Sequence, residues 1–507
     1  MFCSTVLRGW TLEADEELIR STESLAKEAG VKLLSGTRLE FEQKHCKRWA
    51  VGGHTASEGY GRYLVLCALN LLISKSVLPC VDLGKLTATP HGRELHSLKR
   101  LLFSELRGTT VQANGPMGSQ VKVPLKRQSA TACREAGSCD TDGSQMLFAQ
   151  AAKKCTDPGA FRRSGQNWQE QPFSVAYEGE PGVDQGGLYR DFLDAITEEL
   201  MSPQLPVLVP TANQTTNAGE HRDTWVLNPS LEAGTGSPGE RMLLFLGRLM
   251  GLCLLRGDIL PLNLPSSFWK CLQGEDVGLE DLEAIDIAAA NSVRMLRQPA
   301  LLGIDADSFH DTFPDLRYVV EDSANQRREL MEGGADRPVT FQDAPRYADL
   351  MLATRLVESE RQLVVVRNGL REVALMSSWA LWPWQSLEER VVGVTHIDIA
   401  LLRKKTVYEG YDREHVIVQR FWESMGSFTQ DDLRSFLHFV WGRSRLPPEA
   451  SDKWGAGFKI SRASRTDMLP LAHTCFFQLE LPEYDTLEIM KERLLFAINN
   501  CISMAIA

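Results

Sequence analysis

The sequence lacks several patterns that identify major classes of protein. Its 11 cysteines include no C-x-x-C pair and no Cys/His cluster at zinc-finger spacing, so neither a redox motif nor a structural zinc site is indicated. It has no long basic run, and its formal net charge is −11, whereas nucleic-acid-binding domains carry a basic stripe. We therefore predict no metal and no nucleic-acid partner, and the scattered cysteines favour a reducing compartment.

Targeting and membrane segments are also missing. Residues 1–17 do not combine a basic start with the apolar run of a signal peptide. The most apolar long stretch, residues 242–260, is interrupted by Arg248, Arg256 and Asp258, which a clean membrane span would not carry. The glycines of residues 179–187 do not have the spacing of a nucleotide-binding loop. We predict a cytoplasmic protein with no membrane span and no cofactor.

The 507 residues are otherwise of ordinary globular composition, with 43% hydrophobic and 24% charged residues. Residues 1–108 carry three helix-like segments. Residues 109–145 are dominated by Thr, Gln, Gly, Ser and Pro, which indicates a linker or a disordered segment. Residues 241–255 are apolar nearly all round, which predicts a central buried helix.

The most informative stretch is residues 469–482, with the sequence LPLAHTCFFQLELP. After Cys475 the apolar side chains of Phe477, Leu479 and Leu481 alternate with polar ones, which predicts a half-buried strand. Cys475 would then lie where a loop becomes a strand. Such a position suits a nucleophilic thiol, which needs fixed geometry and access. Local pattern alone leaves a second interpretation open, in which Cys475 is a small buried hydrophobe.

The pattern L-P-x-A-H-T-C-F, followed by L-x-L-P-x-Y, resembles the active-site segment of HECT-type ubiquitin ligases. Two further stretches support the resemblance: G-E-x-G-V-D-x-G-G at residues 179–187, and G-x-x-R-x-P at residues 442–447. The resemblance runs from about residue 146 to the end and is nearest to the large HERC-type members.

This resemblance implies an α+β fold with a bilobal catalytic module. Residues 1–108 would form a helical region of unknown role, and residues 109–145 the linker. Residues 146–405 would form the mostly helical N-lobe, in which residues 276–345 dock a ubiquitin-conjugating enzyme. Residues 406–411 would be the hinge, and residues 412–507 the smaller α/β C-lobe.

The resemblance also implies the chemistry. Cys475 would accept ubiquitin from the conjugating enzyme as a thioester and pass it to lysines of protein substrates, with His473 in a supporting role. Gly410 would be the pivot of the hinge. A groove for the conjugating enzyme would be lined by apolar residues of the N-lobe: Val293, Leu296, Phe309 and Leu370. Each of these four residues could equally be part of the core.

Acidic residues are also needed, because the substrate amine must lose a proton before it attacks. Glu178, Glu180 and Asp184 are candidates in the N-lobe, although each could simply stabilise a turn.

Two departures from the family pattern keep alternatives open. Many members carry Asp after the residues that correspond to Ile259 and Leu260, and this chain has Pro261. If that Asp orients the acceptor lysine, the role is lost here or falls to Asp258. Many members also keep a phenylalanine near the end, where this chain has Met504. A scaffold that binds ubiquitin or the conjugating enzyme without transfer is one alternative, and another cysteine acyl-transfer enzyme or a thiol protease is a second.

Overall fold

A computed structural model of the chain describes residues 9–35, 39–108, 110–163, 171–179, 187–394, 396–441, 445–446, 454, 457–465, 468–473 and 476–500. The predicted nucleophile Cys475 and its neighbour Thr474 lie outside the described residues, as do Glu180, Asp184 and Met504. The chain divides into two compact units. Unit 1 comprises Met1–Asp258 and Leu262–Leu387, and unit 2 comprises Ile259–Pro261 and Glu388–Ala507.

Unit 1 is mostly helical. In chain order its helices are α1 Leu12–Ala29, α2 Cys46–Trp49, α3 Ala56–Leu72, α4 Pro90–Ser97, α5 Ser104–Arg107, α6 Arg127–Glu135, α7 Leu147–Lys154, α8 Pro158–Phe161, α9 Gly187–Leu200, α10 Ala212–Thr216, α11 Pro238–Arg256, α12 Ser266–Gln273, α13 Leu279–Glu283, α14 Ile287–Arg297, α15 Phe309–Thr312, α16 Ala344–Leu356 and α17 Glu360–Val373.

Three two-stranded pairs accompany these helices. The strands are β1 Val121–Leu125, β2 Phe173–Tyr177, β3 Leu208–Pro210, β4 Trp225–Leu227, β5 Val319–Glu321 and β6 Arg327–Glu329. The β1–β2 pair is parallel, and the β3–β4 and β5–β6 pairs are antiparallel. Helices and short sheets therefore occur together, and the α+β fold class is confirmed.

The segment at residues 109–145 corrects the prediction of a linker or disordered segment. Val123 and Leu125 of β1 are fully buried, because β1 pairs along its whole length with β2. The carboxylate of Asp140 accepts backbone hydrogen bonds from Ser144, Gln145 and Met146 and so fixes the turn that leads into α7. This segment is integral to unit 1. Its strand is short and surrounded by polar residues, and its partner lies about fifty residues later, so local composition could not reveal it.

The centre of unit 1 is the predicted buried helix, observed as α11. Ser237 caps its start by accepting a hydrogen bond from Glu240 N at 3.0 Å. Glycines bring α11 into close contact with α17: a Cβ on Gly247 would lie 2.0 Å from the carbonyl oxygen of Val366, and one on Gly369 would lie 2.3 Å from that of Leu244. The apolar all-round pattern of α11 therefore reflects burial on every side.

Residues 9–108 pack directly against later parts of unit 1. Leu95 and Leu102 share an apolar cluster with Ala380 and Leu381. The buried ammonium group of Lys99 lies 2.8 Å from the carboxylate of Glu275.

Unit 2 is built on one four-stranded sheet with the order β7-β8-β10-β9. β7–β8 and β8–β10 are parallel, and β10–β9 is antiparallel. The strands are β7 Thr406–Glu409, β8 Phe458–Arg462, β9 Leu471–His473 and β10 Gln478–Leu481. The helices are α18 Trp384–Val392, which spans the boundary of the two units, α19 Ile399–Lys404, α20 Val416–Gly426, α21 Gln430–Trp441 and α22 Leu487–Asn500.

The predicted hinge at residues 406–411 lies inside unit 2, so that prediction is wrong. Thr406–Glu409 forms β7 and pairs with β8, and the hydroxyl of Tyr411 donates to the carbonyl oxygen of Leu481 at 2.8 Å. Gly410 is needed for a local reason, because its φ of +76° is left-handed. Apart from the short segment Ile259–Pro261, the chain passes from unit 1 to unit 2 between Leu387 and Glu388 instead.

The predicted lobe boundary is corrected in the same way. Residues 388–405 were predicted to belong to the N-lobe, but they are part of unit 2. Leu260 N donates to the carbonyl oxygen of Val391 at 2.8 Å, which places the short segment Ile259–Pro261 in unit 2 as well.

One helical run among the described residues, Ala56–Cys80, is long and apolar enough to cross a membrane by length and composition alone. Core helices of soluble proteins pass the same test. The run carries Arg62, whose guanidinium is buried in an ion pair with Asp15 at 2.6 Å.

Candidate active site

The candidate site is the connection between β9 and β10. His473 ends β9, and β10 begins at Gln478. The antiparallel register pairs His473 with Gln478 and Leu471 with Glu480. Cys475 follows His473 by two residues in the chain, so the strand pair fixes both ends of the short segment that contains it.

His473 is held by an acidic partner across the strands. Its Nε2 lies 2.9 Å from Oε1 of Glu480, and both side chains are about one-third exposed. The two residues are diagonal neighbours on one face of the sheet, a distance that long side chains can bridge. A carboxylate only accepts hydrogen bonds, so the hydrogen bond to Glu480 forms when Nε2 carries a proton. Sequence reasoning singled out His473 but not Glu480, because only the register of β9 with β10 brings the two side chains together.

Two consecutive phenylalanines follow the nucleophile position and point to opposite environments. Phe476 is 73% exposed, whereas Phe477 is buried. Phe477 has a left-handed φ of +48°, which is uncommon for a bulky side chain. Its ring stacks on Trp441 with a centroid distance of 4.1 Å and an interplanar angle of 10°. The surrounding core therefore holds a strained backbone directly before β10.

The strand itself matches the alternation in the sequence. Leu479 and Leu481 are fully buried, and Gln478 and Glu480 lie on the half-exposed face. Lys459 N donates to the carbonyl oxygen of Phe477 at 2.9 Å, and β10 continues in parallel register with β8. The predicted half-buried strand is confirmed, so the segment after Cys475 is a rigid element.

The candidate carboxylates of unit 1 have local roles in the structure. Asp258 accepts from the hydroxyl of Tyr189 at 3.0 Å and from Nε of Arg256 at 3.1 Å. Glu178 lies 3.8 Å from the ammonium of Lys126 at the surface. Asp258 is therefore engaged in a largely buried ion pair with Arg256. It is not an evident substitute for the Asp that many family members carry where this chain has Pro261.

The predicted groove for a conjugating enzyme is not a groove in this structure. Its four residues are fully buried: Val293, Leu296, Phe309 and Leu370. The first three belong to the apolar core shared by α14, α15 and α16, and Leu370 lies in α17, which packs against α11. The prediction is wrong because helical apolar spacing marks a packed face without telling a core from a groove.

The same region does present apolar side chains to solvent at another place. Leu301 is 78% exposed and Leu302 is 59% exposed, in the 3₁₀ turn Pro299–Leu302 that follows α14. Gly303 ends this turn with a left-handed φ of +74°.

Comparison with known proteins gives a family match that includes all of unit 2. Residues 194–507 match the family described as "HECT-domain (ubiquitin-transferase)". The chain is 29% identical over 453 residues to "E3 ubiquitin-protein ligase HERC2" of Mus musculus, which covers 85% of this chain and 9% of that protein. It is 30% identical over 334 residues to "E3 ubiquitin-protein ligase HUWE1" of Mus musculus, covering 64% of this chain and 7% of that protein.

A shorter relative is "Probable E3 ubiquitin-protein ligase HUL4" of Eremothecium gossypii. It is 32% identical over 354 residues, covering 66% of this chain and 40% of the relative. The match with this chain thus covers less than a tenth of the full length of HERC2.

Proposed function

The chain belongs to the HECT-domain ubiquitin-transferase family, and we propose that it is a ubiquitin-protein ligase that carries ubiquitin as a thioester on Cys475. The observation that carries the proposal is the family match over residues 194–507, which includes the Cys475 segment. The rigid strand pair on either side of that segment supports it, since a nucleophile needs fixed geometry.

The first step is thioester exchange. The Cys475 thiolate attacks the carbonyl carbon of the thioester that joins ubiquitin to the conjugating enzyme. A new C–S bond forms to Cys475, and the thiolate of the conjugating enzyme leaves. One thioester replaces another, so the step needs little driving force and the protein mainly has to bring the reactants together.

The second step makes an amide. A substrate lysine amine attacks the thioester carbonyl on Cys475, the C–N bond forms, and the Cys475 thiolate leaves. The amine is mostly protonated near neutral pH, so a base must take a proton from it. We assign this supporting role to His473, because it lies two residues before Cys475 and Glu480 fixes the orientation of its ring through Nε2.

The partners follow from this chemistry: ubiquitin, a ubiquitin-conjugating enzyme and protein substrates. For the conjugating enzyme we propose docking on Leu301 and Leu302 of residues 276–345. Their exposure supports the choice, because buried apolar anchors supply most of the binding energy at protein interfaces. We also propose a cytoplasmic location, which the free thiols of the described cysteines favour.

A thioester-trapping experiment tests the proposal. The chain is incubated with ubiquitin and a charged conjugating enzyme and resolved on a gel without reducing agent. We expect a ubiquitin adduct that reducing agent removes, its absence in Cys475→Ala, and a reductant-resistant oxyester in Cys475→Ser. Cys80→Ala is the control, because Cys80 is a free thiol and is exposed.

The alternatives give different results in the same experiment. A scaffold without transfer activity, which the departure at Pro261 favours, would bind the charged conjugating enzyme and form no adduct. A thiol protease would hydrolyse ubiquitin conjugates in a Cys475-dependent way. Adduct formation by Cys475→Ala would contradict the assignment of the nucleophile.

A further inference from the structure

Helix α3 carries an apolar face that no described residue of the chain covers. The inner face is packed into unit 1 through Tyr63, Leu66 and Cys67. On the opposite side lie six exposed positions, which we call the α3 outer face. Five lie in α3 and the last lies in the π-helical turn Ile73–Val77 that follows it: Glu58, Gly61, Val65, Ala68, Leu72 and Lys75. The four central residues of this face are apolar, and only its two ends are charged.

The exposure of this face is substantial. The side chain of Val65 is 40% exposed and that of Leu72 is 51% exposed. Only 28% of the most apolar window in the run Ala56–Cys80 is buried. Apolar area of this extent at regular helical spacing marks a contact surface, since scattered single residues would not line up.

Gly61 is a second, independent indication that the α3 outer face contacts another molecule. It lies in the interior of α3 with helical geometry, and a Cβ built on it would meet nothing within 4 Å. Glycine destabilises a helix interior relative to alanine. No described contact within the chain requires a glycine at this position. Close approach of another molecule would require one, because a side chain there would hold the two surfaces apart.

The residues of this face fit a second copy of the same face. The six positions are symmetric about the midpoint between Leu66 and Cys67. In an antiparallel pair of α3 helices, Gly61 therefore meets Leu72 of the second copy, and Val65 meets Ala68 of the second copy. At the ends, Glu58 meets Lys75 of the second copy. A large side chain faces a small one at the two inner pairs, and an acid faces a base at the outer pair.

We propose that the α3 outer face is a homodimer contact in which two copies of α3 pack antiparallel about a two-fold axis. Such an interface is isologous, so each of the three pairings occurs twice. A contact confined to one helix pair is small, and we expect a weak dimer with a dissociation constant in the micromolar range. The proposal is independent of the ubiquitin-transfer chemistry and concerns a different surface.

Sedimentation velocity of the full chain over a concentration series tests the contact. We expect a monomer–dimer equilibrium in the wild-type chain. Gly61→Leu should weaken it at least tenfold without lowering the thermal midpoint, because leucine is a better helix former than glycine. Gly426→Leu is the matched control, since Gly426 is also an exposed helical glycine with open space around it.

A charge exchange tests the antiparallel geometry. Lys75→Glu and Glu58→Lys should each weaken self-association, because like charges then meet at both ends. Mixing the two variants restores both ion pairs, so a heterodimer should form where neither variant dimerises alone. Lys27→Glu, on the exposed side of α1, is the control that should leave the dimer unchanged.

Three results would overturn the proposal. The first is a wild-type chain that stays monomeric throughout the micromolar range. The second is a dimer that is insensitive to Gly61→Leu. The third is a mixture of the two charge variants that associates no better than either variant alone, because it would rule out antiparallel pairing with a second copy.

Discussion

Nε2 of His473 lies 2.9 Å from Oε1 of Glu480, one residue on each of the antiparallel strands β9 and β10. The pair joins the residue two positions before the nucleophile to the strand that follows it. The orientation of the imidazole is therefore set by the sheet.

Glu480→Gln should slow amide formation about tenfold and leave thioester formation nearly unchanged, because a positioning group acts on the step that needs the base. Single-turnover discharge of the ubiquitin thioester to free lysine measures the first rate, and loading from the charged conjugating enzyme measures the second. Glu480→Asp should recover part of the rate.

The control for this prediction is Glu483→Gln, which removes a carboxylate paired with Arg462 on the same unit. A double variant of His473→Ala and Glu480→Gln should be no slower than His473→Ala alone if the two residues act as one unit. Additive losses would contradict the positioning role.

The exposed leucines and the buried ones should respond differently to truncation. Combined Leu301→Ala and Leu302→Ala should weaken binding of the conjugating enzyme by about 1–3 kcal/mol without changing the thermal midpoint. Leu296→Ala should lower the free energy of unfolding by about 2–5 kcal/mol, because it leaves a cavity in a packed core. Calorimetric titration and chemical denaturation measure the two quantities. Unchanged affinity in the double variant would place the docking surface elsewhere.

Gly410 should behave as a structural glycine. Gly410→Ala should lower the stability of the chain by about 1 kcal/mol, because φ is +76° and the new Cβ would lie 3.1 Å from that of Arg462. Gly426→Ala is the control, since that glycine is helical with open space around it, and it should be neutral or slightly stabilising. Thioester formation should be unaffected by either change when it is measured well below the unfolding temperature. A selective loss of transfer in Gly410→Ala would restore the hinge interpretation.

Glu199 should make stability depend on pH. Burial raises its pKa from 4.5 to about 7, although its carboxylate accepts hydrogen bonds from Leu147 N and Phe148 N. The folded chain then holds a proton that the unfolded chain has lost between these pH values. The free energy of unfolding should therefore fall as pH rises from about 4.5 to about 7.

Glu199→Gln should remove this part of the pH dependence, because glutamine does not titrate. Denaturant unfolding at pH 5 and at pH 7.5 measures it, with Glu198→Gln as the neighbouring control. The free energy of unfolding could change equally between pH 5 and pH 7.5 in wild type and Glu199→Gln. That result would mean that Glu199 is ionised throughout, stabilised by its backbone donors and by Arg134.

Secondary structure was predicted best from the sequence where a local apolar pattern directly reflects burial. The alternation of Phe477, Leu479 and Leu481 is set by a strand with one buried face, and α11 is apolar all round because it is enclosed. The position of Cys475 in the site came from the motif, since cysteine alone is as often a buried hydrophobe.

The features that were missed depend on distant partners. β1 acquires its identity from β2, and Glu480 acquires its role from its register with β9. Val293 and Leu296 have the spacing of a helix face, but only the packing of α16 decides that this face is closed. The sequence around Gly410 suggested a hinge. In the structure Gly410 follows β7 directly, and the pairing of β7 with β8 places it in a turn.

The β1–β2 pair has a consequence for how this module could move between genes. The family match begins at residue 194, inside α9, whereas β2 and its partner strand β1 lie earlier in the chain. A recombination event that carried only the matched stretch would cut a helix and lose a strand pair that contributes buried side chains, among them Val123 and Val175. The block that could be inherited as a foldable piece therefore starts no later than Val121.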